Sequence, residues 1–84
     1  MRPRRLLKRI LVAPHNVRFG DVVRLAEALG FRVERIEGSH HILIHPNTPE
    51  LLNLQEVKGE VKPYQVRQLL QLIERYNLTL GEEA

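Results

Sequence analysis

Three of the chain's four histidines, His40, His41 and His45, fall within EGSHHILIHP, Glu37 to Pro46. Imidazole has an unperturbed pKa of about 6.5, so it can take up and release a proton near neutral pH, and it also ligates metals. Spacing separates these uses. On a strand at ~3.3 Å per residue, His41 and His45 stand roughly 13 Å apart, too far to share one ion bound at about 2.0 Å. A helix would bring an HxxxH pair together, but Pro46 and the Ile-Leu-Ile run argue for strand, and the chain has no Cys to complete a ligand set. No metal site is expected. Acid–base chemistry fits better, because a single imidazole suffices when the substrate supplies its own nucleophile, as the 2′-OH beside each phosphate does in RNA. Cations would then stabilise the added negative charge, and Arg35, Lys58, Lys62 and Arg67 are on offer. The plainer reading of a histidine beside a turn is a hydrogen-bonded boundary residue. His15, in APHN, reads as loop.

The elements that must position these rings follow from hydrophobic spacing. RRLLKRIL, Arg4 to Leu11, carries Leu6, Leu7, Ile10 and Leu11 at helical spacing with cations on the other face, and Pro14 ends it. GDVVRLAEALG predicts a second helix, with Val22, Leu25, Ala26 and Leu29 on one face, Asp21 in the first turn and Gly30 just past the end. FRVERIE switches to alternation until Arg35 and Ile36 break the phase, and Gly38-Ser39 reads as a turn. HHILIHP is a second strand closed by Pro46. ELLNLQEV, Glu50 to Val57, suits a third strand through Leu52 and Leu54, or a short helix after Pro49. Val57 to Val61 is a loop, and Pro63 opens a helix with Val66, Leu69, Leu70, Ile73 and Tyr76 on one face, running to Asn77. LTLGEEA is expected to fray.

After the first helix the order is α-β-β-β-α, an α+β arrangement with helices on one face of a three-stranded antiparallel sheet. Alternation puts His40 with Ile42 and Ile44, and His41 with Leu43 and His45. With Ile42 and Ile44 taken as the helix-facing pair, His40 lies at the rim of the core while His41 and His45 face outward.

Composition bounds the function class. At 84 residues the chain suits one compact domain. The absence of Cys excludes a disulfide framework and thiolate chemistry, and no apolar run is long enough to span a bilayer or serve as a secretion signal, so a cytoplasmic protein with no membrane partner is expected. Lys and Arg outnumber Asp and Glu by 13 to 10, with five cations in MRPRRLLKR, which leans towards nucleic acid or an acidic protein. The same cations could simply solvate a helix face. Aromatics are only 5% and scattered, so base stacking is not the expected mode of binding.

LAEALGFRVERIEGSHHILIHP followed by KPYQVRQLLQLIERYNL resembles the HicA, or YcfA-like, family of toxins over roughly Phe19 to Leu78. The ordered set of helix, GF, strand, G-S-H-H, apolar strand, HP and a basic loop opening a last helix carries the resemblance. It implies a fold like that of double-stranded RNA-binding domains, a metal-independent endoribonuclease acting on mRNA without a cofactor, and a HicB-type antitoxin partner. The family's active histidine directly follows Gly-Ser or Gly-Gly, which falls on His40, with His41 second choice. Gly38 and Ser39 belong to the same motif, where a small turn lets the RNA backbone approach. Arg35, Lys58, Lys62 and Arg67 are the cations expected to hold RNA. The chain departs from the family pattern where NTPELLNLQEV replaces a tight turn and a V-P-x-H strand. It divides into a basic helical extension, 1–18, the HicA-like domain, 19–78, and a tail, 79–84. The extension would add RNA affinity, cover the antitoxin surface or build a homodimer. Against the enzyme stand a non-catalytic RNA-binding module of the same fold and a protein-docking domain.

Overall fold

A computed structural model of the chain describes residues 2–81. Pro3 opens α1, Pro3–Val12, at a position where its missing N–H costs nothing, and Leu6 and Ile10 bury its inner face. A turn through Asn16 leads to β1, Val17–Arg18, and α2, Phe19–Ala28. The sheet strands follow as β2, Arg32–Glu37, β3, His40–Ile44, and β4, Leu52–Gln55; then come β5, Glu60–Val61, and α3, Pro63–Tyr76.

The order β2-β3-β4 is antiparallel throughout, which is the expected α+β architecture with β3 in the centre. The alternative of a short helix after Pro49 gives way to β4. The phase break read in FRVERIE is a register shift between Val33 and Arg35 that leaves Glu34 unpaired. One element was not legible: within the Val57–Val61 segment, β5 pairs with β1 in a separate two-stranded sheet, Val17 opposite Val61 and Arg18 opposite Glu60. Each strand is two residues long, too short to leave a periodic signature.

Leu43, Leu52 and Leu54, each 0% exposed, meet Val22, Leu25, Val66 and Leu69 from the helices, also 0% exposed. This corrects the assumed phase of β3. The helix-facing set is His41, Leu43 and His45, and His40, Ile42 and Ile44 lie on the other face. Ile42 nevertheless stays 6% exposed because Arg35 and Asn53 flank it in register on both neighbouring strands. Packing on the core face thus overrides the preference for isoleucine inside.

The end of α2 explains why His45 turns inward. Gly30 N–H reaches Glu27 O at 3.0 Å and Phe31 N–H reaches Ala26 O at 3.0 Å, closing the helix with Gly30 at φ 106°. The imidazole of His45 then lies against Gly30, its Nε2 donating to Leu29 O at 2.9 Å and its ring edge-on to Phe31. A carbonyl can only accept and an amide N–H can only donate, so Nε2 carries the proton while Nδ1 accepts from Asn47 N–H at 2.9 Å. His45 is a latch joining the end of α2 to the exit of β3.

A second tie holds the β3–β4 connection. Glu50 Oε2 accepts from Tyr76 OH at 2.5 Å and from Arg75 Nη1 at 2.6 Å, both on the last turn of α3. The Tyr76 hydrogen bond, followed by that of Arg75, holds the Glu50 carboxyl below the usual carboxylate range. Asn77, left-handed at φ 51°, ends α3 and turns Leu78 into the core at 9% exposed, with Leu80 packed against it, which corrects the expectation that the tail frays from Leu78; 82–84 of that tail lie outside the described residues.

A Cβ at Gly30 would meet His45 Nε2 at 2.7 Å. Gly30→Ala should cost about 1–3 kcal/mol through backbone strain and the displaced ring. Thermal unfolding should show a drop in Tm on the order of 4 °C or more. Because the Glu50 carboxyl is lowered in the folded protein, its contribution is full above the ordinary carboxyl pKa and is lost as pH falls through the lowered value. Wild type should therefore lose Tm in that acid window more steeply than Glu50→Gln, measured by melts across the acid range.

Candidate active site

β2 and β3 are joined by a two-residue turn whose first residue, Gly38, has φ +61°, a Gly-first pattern that suits the twist of a tight hairpin. Nothing lies within 4 Å of where its Cβ would be, so glycine serves the backbone angle there rather than a close contact. Ser39 follows, and His40 is the first residue of β3, opposite Glu37 on β2 and Gln55 on β4.

The alternation of LNLQ buries Leu52 and Leu54 and sends Asn53 and Gln55 to the face that His40 shares. His40 Nδ1 lies 3.1 Å from Asn53 Oδ1. The amide oxygen only accepts, so Nδ1 carries the proton and Nε2 keeps its lone pair. Nε2 makes no hydrogen bond within the described residues and is not enclosed. That is the arrangement of an oriented base: one ring nitrogen tethered, the other open to a substrate.

Gln55 ties this edge to the helices. Its side chain donates to Ser39 Oγ at 3.3 Å, and its backbone N–H donates to Gln65 Oε1 at 3.0 Å. Gln65, only 4% exposed in the first turn of α3, thereby fixes that helix to β4. Glu56 N–H donates to Ser39 O at 3.0 Å, so the loop that carries Lys58 starts at the His40 turn. Phe19 N–H donates to Gly59 O at 2.9 Å, and the Phe19 ring meets His41 edge-on with centroids 4.6 Å apart. The N-terminal ends of α2 and α3, neither capped by a side chain, therefore lie at the same end of the sheet as His40.

Gly38, Ser39 and His40 lie together at this end, and Lys58 and Lys62 line a shared cleft on the segment that leaves β4 there. His41 is adjacent in sequence but points to the helix side; its Nδ1 is buried with no hydrogen-bond partner, and its ring rests on Phe19. Arg35 shares the open face with His40, yet its guanidinium is held by Glu37 at 2.9 Å and Glu34 at 3.8 Å. Arg67 lies elsewhere, lining a groove with Leu7, Leu11 and Leu70 between α1 and α3. Asn53, Gln55 and Gln65 were missed in the sequence. The alternation of LNLQ marks the first two as outward-facing, but only the pairing of β4 with β3 shows what they face.

Residues 19–74 match the profile of a family described as "HicA toxin of bacterial toxin-antitoxin", a segment that runs from the first residue of α2 into α3 and leaves α1 outside. No curated protein and no solved structure matches the chain. Among the described residues, no helix is long and apolar enough to cross a membrane.

The two tethered rings should differ in tautomer, and 15N NMR reads this directly. His45 should show the proton on Nε2 and His40 on Nδ1. Asn53→Ala should release the His40 preference and leave the His45 signals in place.

Proposed function

The chain belongs to the HicA family of toxins from bacterial toxin-antitoxin pairs, and we propose that it is an endoribonuclease that cleaves mRNA with His40 as general base and a HicB-type protein as its antitoxin. The observation that carries this reading is the tether of His40 Nδ1 to Asn53 Oδ1, which leaves Nε2 aimed away from the core beside an open Gly-Ser turn. His41 is the weaker choice because its ring is spent on packing.

The chemistry asks little else of the protein. His40 Nε2 takes the proton of a ribose 2′-OH; the freed oxygen bonds to the adjacent phosphorus as the bond from phosphorus to the 5′-oxygen breaks. The products are a 2′,3′-cyclic phosphate and a 5′-hydroxyl, the leaving oxygen taking its proton from the imidazolium or from water. Charge building on the phosphoryl oxygens needs nearby donors. Lys58 and Lys62 form no ion pair among the described residues, and Lys62 sits at the N-terminal end of α3, where the helix dipole adds to its charge. Gly38 and Ser39 keep the approach to His40 clear, and Arg35, already paired, shapes the open face more than it grips phosphate.

In a purified assay on single-stranded RNA, His40→Ala should lower the cleavage rate by about 10²–10⁴ while still binding RNA. His41→Ala, once shown to be folded, should keep most of the cleavage and lose stability instead. Undiminished cutting by His40→Ala would sink the assignment. RNA binding by wild type without any cutting would mark the chain as a binding module of the same fold.

A further inference from the structure

We propose that α1 and the edge of the β1–β5 sheet form a cationic track that binds the phosphate backbone of single-stranded RNA, extending the substrate surface beyond the residues that match the family. The proposal takes its substrate class from the RNA reading above and its location from other residues.

α1 lies outside the matched segment, and PRRLLKRILV contains no carboxylate. Arg2, Arg5 and Arg9 recur at i, i+3 and i+7, so they form one exposed stripe along the helix. Leu6 and Ile10, 2% and 1% exposed, each follow a stripe arginine by one residue, about 100° further round the helix, so their burial fixes the stripe along the flank of α1 beside the core. Arg9 shares the wall of a cleft of about 140 Å³ with His15, Arg18 and Asp21. Next to it, His15 and Asn16 also line a cleft of about 270 Å³ whose other polar walls are Lys58, Glu60 and Lys62. Asn16, left-handed at φ 58°, makes the turn that sets His15 between the two. Arg9, Arg18, Lys58 and Lys62 thereby border two adjoining clefts, and the helix stripe carries the row on from Arg9 to Arg5 and Arg2.

The carboxylates nearby leave that charge unanswered. Asp21 is taken by Arg24, and Glu60 is the single carboxylate of the second cleft. None of the six cations forms an ion pair among the described residues. A row of unpaired like charges repels itself, and a polyanion of regularly spaced phosphates relieves that repulsion along its whole length. The row also joins the candidate site. Lys58 stands three residues beyond Gln55, the partner of His40, a span of at most about 10 Å. An RNA strand lying at His40 would therefore continue onto this edge and along α1.

The test measures binding of an unstructured single-stranded RNA oligonucleotide across a KCl series, on a His40→Ala background so that the RNA is not consumed. Adding Arg5→Gln and Arg9→Gln should lower the slope of log K against log salt by about 1.4, from about 0.7 per phosphate contact on a single strand. Arg5→Lys with Arg9→Lys should restore the slope, and melting curves should show all proteins folded, since both side chains are exposed. An unchanged slope, with wild type still cutting the same RNA, overturns the track and leaves the His40 reading standing. An unchanged slope together with weakened binding to a purified antitoxin also overturns it, making the face a protein-docking surface. If the His40→Ala parent binds no RNA and wild type cuts none, the RNA reading fails and the track fails with it.

Discussion

Side chains alternate along a strand, so moving β3 by one residue would exchange its packed and open faces. Everything at the candidate site depends on the phase the chain adopts. Two side chains settle it. Leu43, fully buried, fills the centre of the helix-facing side, and His45 at the strand's exit turns to the same side to reach Leu29 O. With those two inward, His41 must also be inward and His40 outward. A ring tied through both nitrogens to its neighbours thereby decides which ring is left on the open face.

The latch works because each group at that corner has one way to be satisfied. The end of α2 leaves Leu29 O without a helical donor, and Gly30 allows both the left-handed turn and the close approach of the imidazole. His45 then spends both nitrogens, one on α2 and one on the turn at Asn47. Further along, Glu50 is held by the last turn of α3, so the connection into β4 is fixed at both ends. The position of Asn53, and so the orientation of His40, follows from those ties.

At the other end of the sheet a different economy operates. The β1–β5 pair is too small to be stable alone, but it brings the start of α2 and the start of α3 beside the His40 turn, with Gly59 O taking Phe19 N–H. Gln65 is buried there as a polar residue because Gln55 offers a backbone donor that β4, as the sheet's edge, would otherwise leave unpaired. α1 closes the core from outside through Leu6 and Ile10 and leaves Arg5, Lys8 and Arg9 exposed.

Spacing and turn residues were enough for the three helices, the first two main strands, the hairpin at Gly38-Ser39 and the break of phase in β2, because each leaves its own local pattern; the third strand stood level with a short helix until it paired with β3. The histidine cluster and its place at the hairpin exit were legible for the same reason. The two-residue strands were not, since nothing local distinguishes them from loop. Nor was the phase of β3, where HHILIH offers apolar residues to both faces and propensity cannot choose between them. That choice was made by partners distant in sequence, the carbonyl of Leu29 and the helix faces over Leu43, and Asn53 acquired its role only when β4 was laid beside β3. Sequence determined the longer helices and strands and which histidines lie at the hairpin; tertiary structure decided the short β1–β5 pair, the partners of His40 and which way each ring faces, because facing is set by contacts that exist only once the chain has folded.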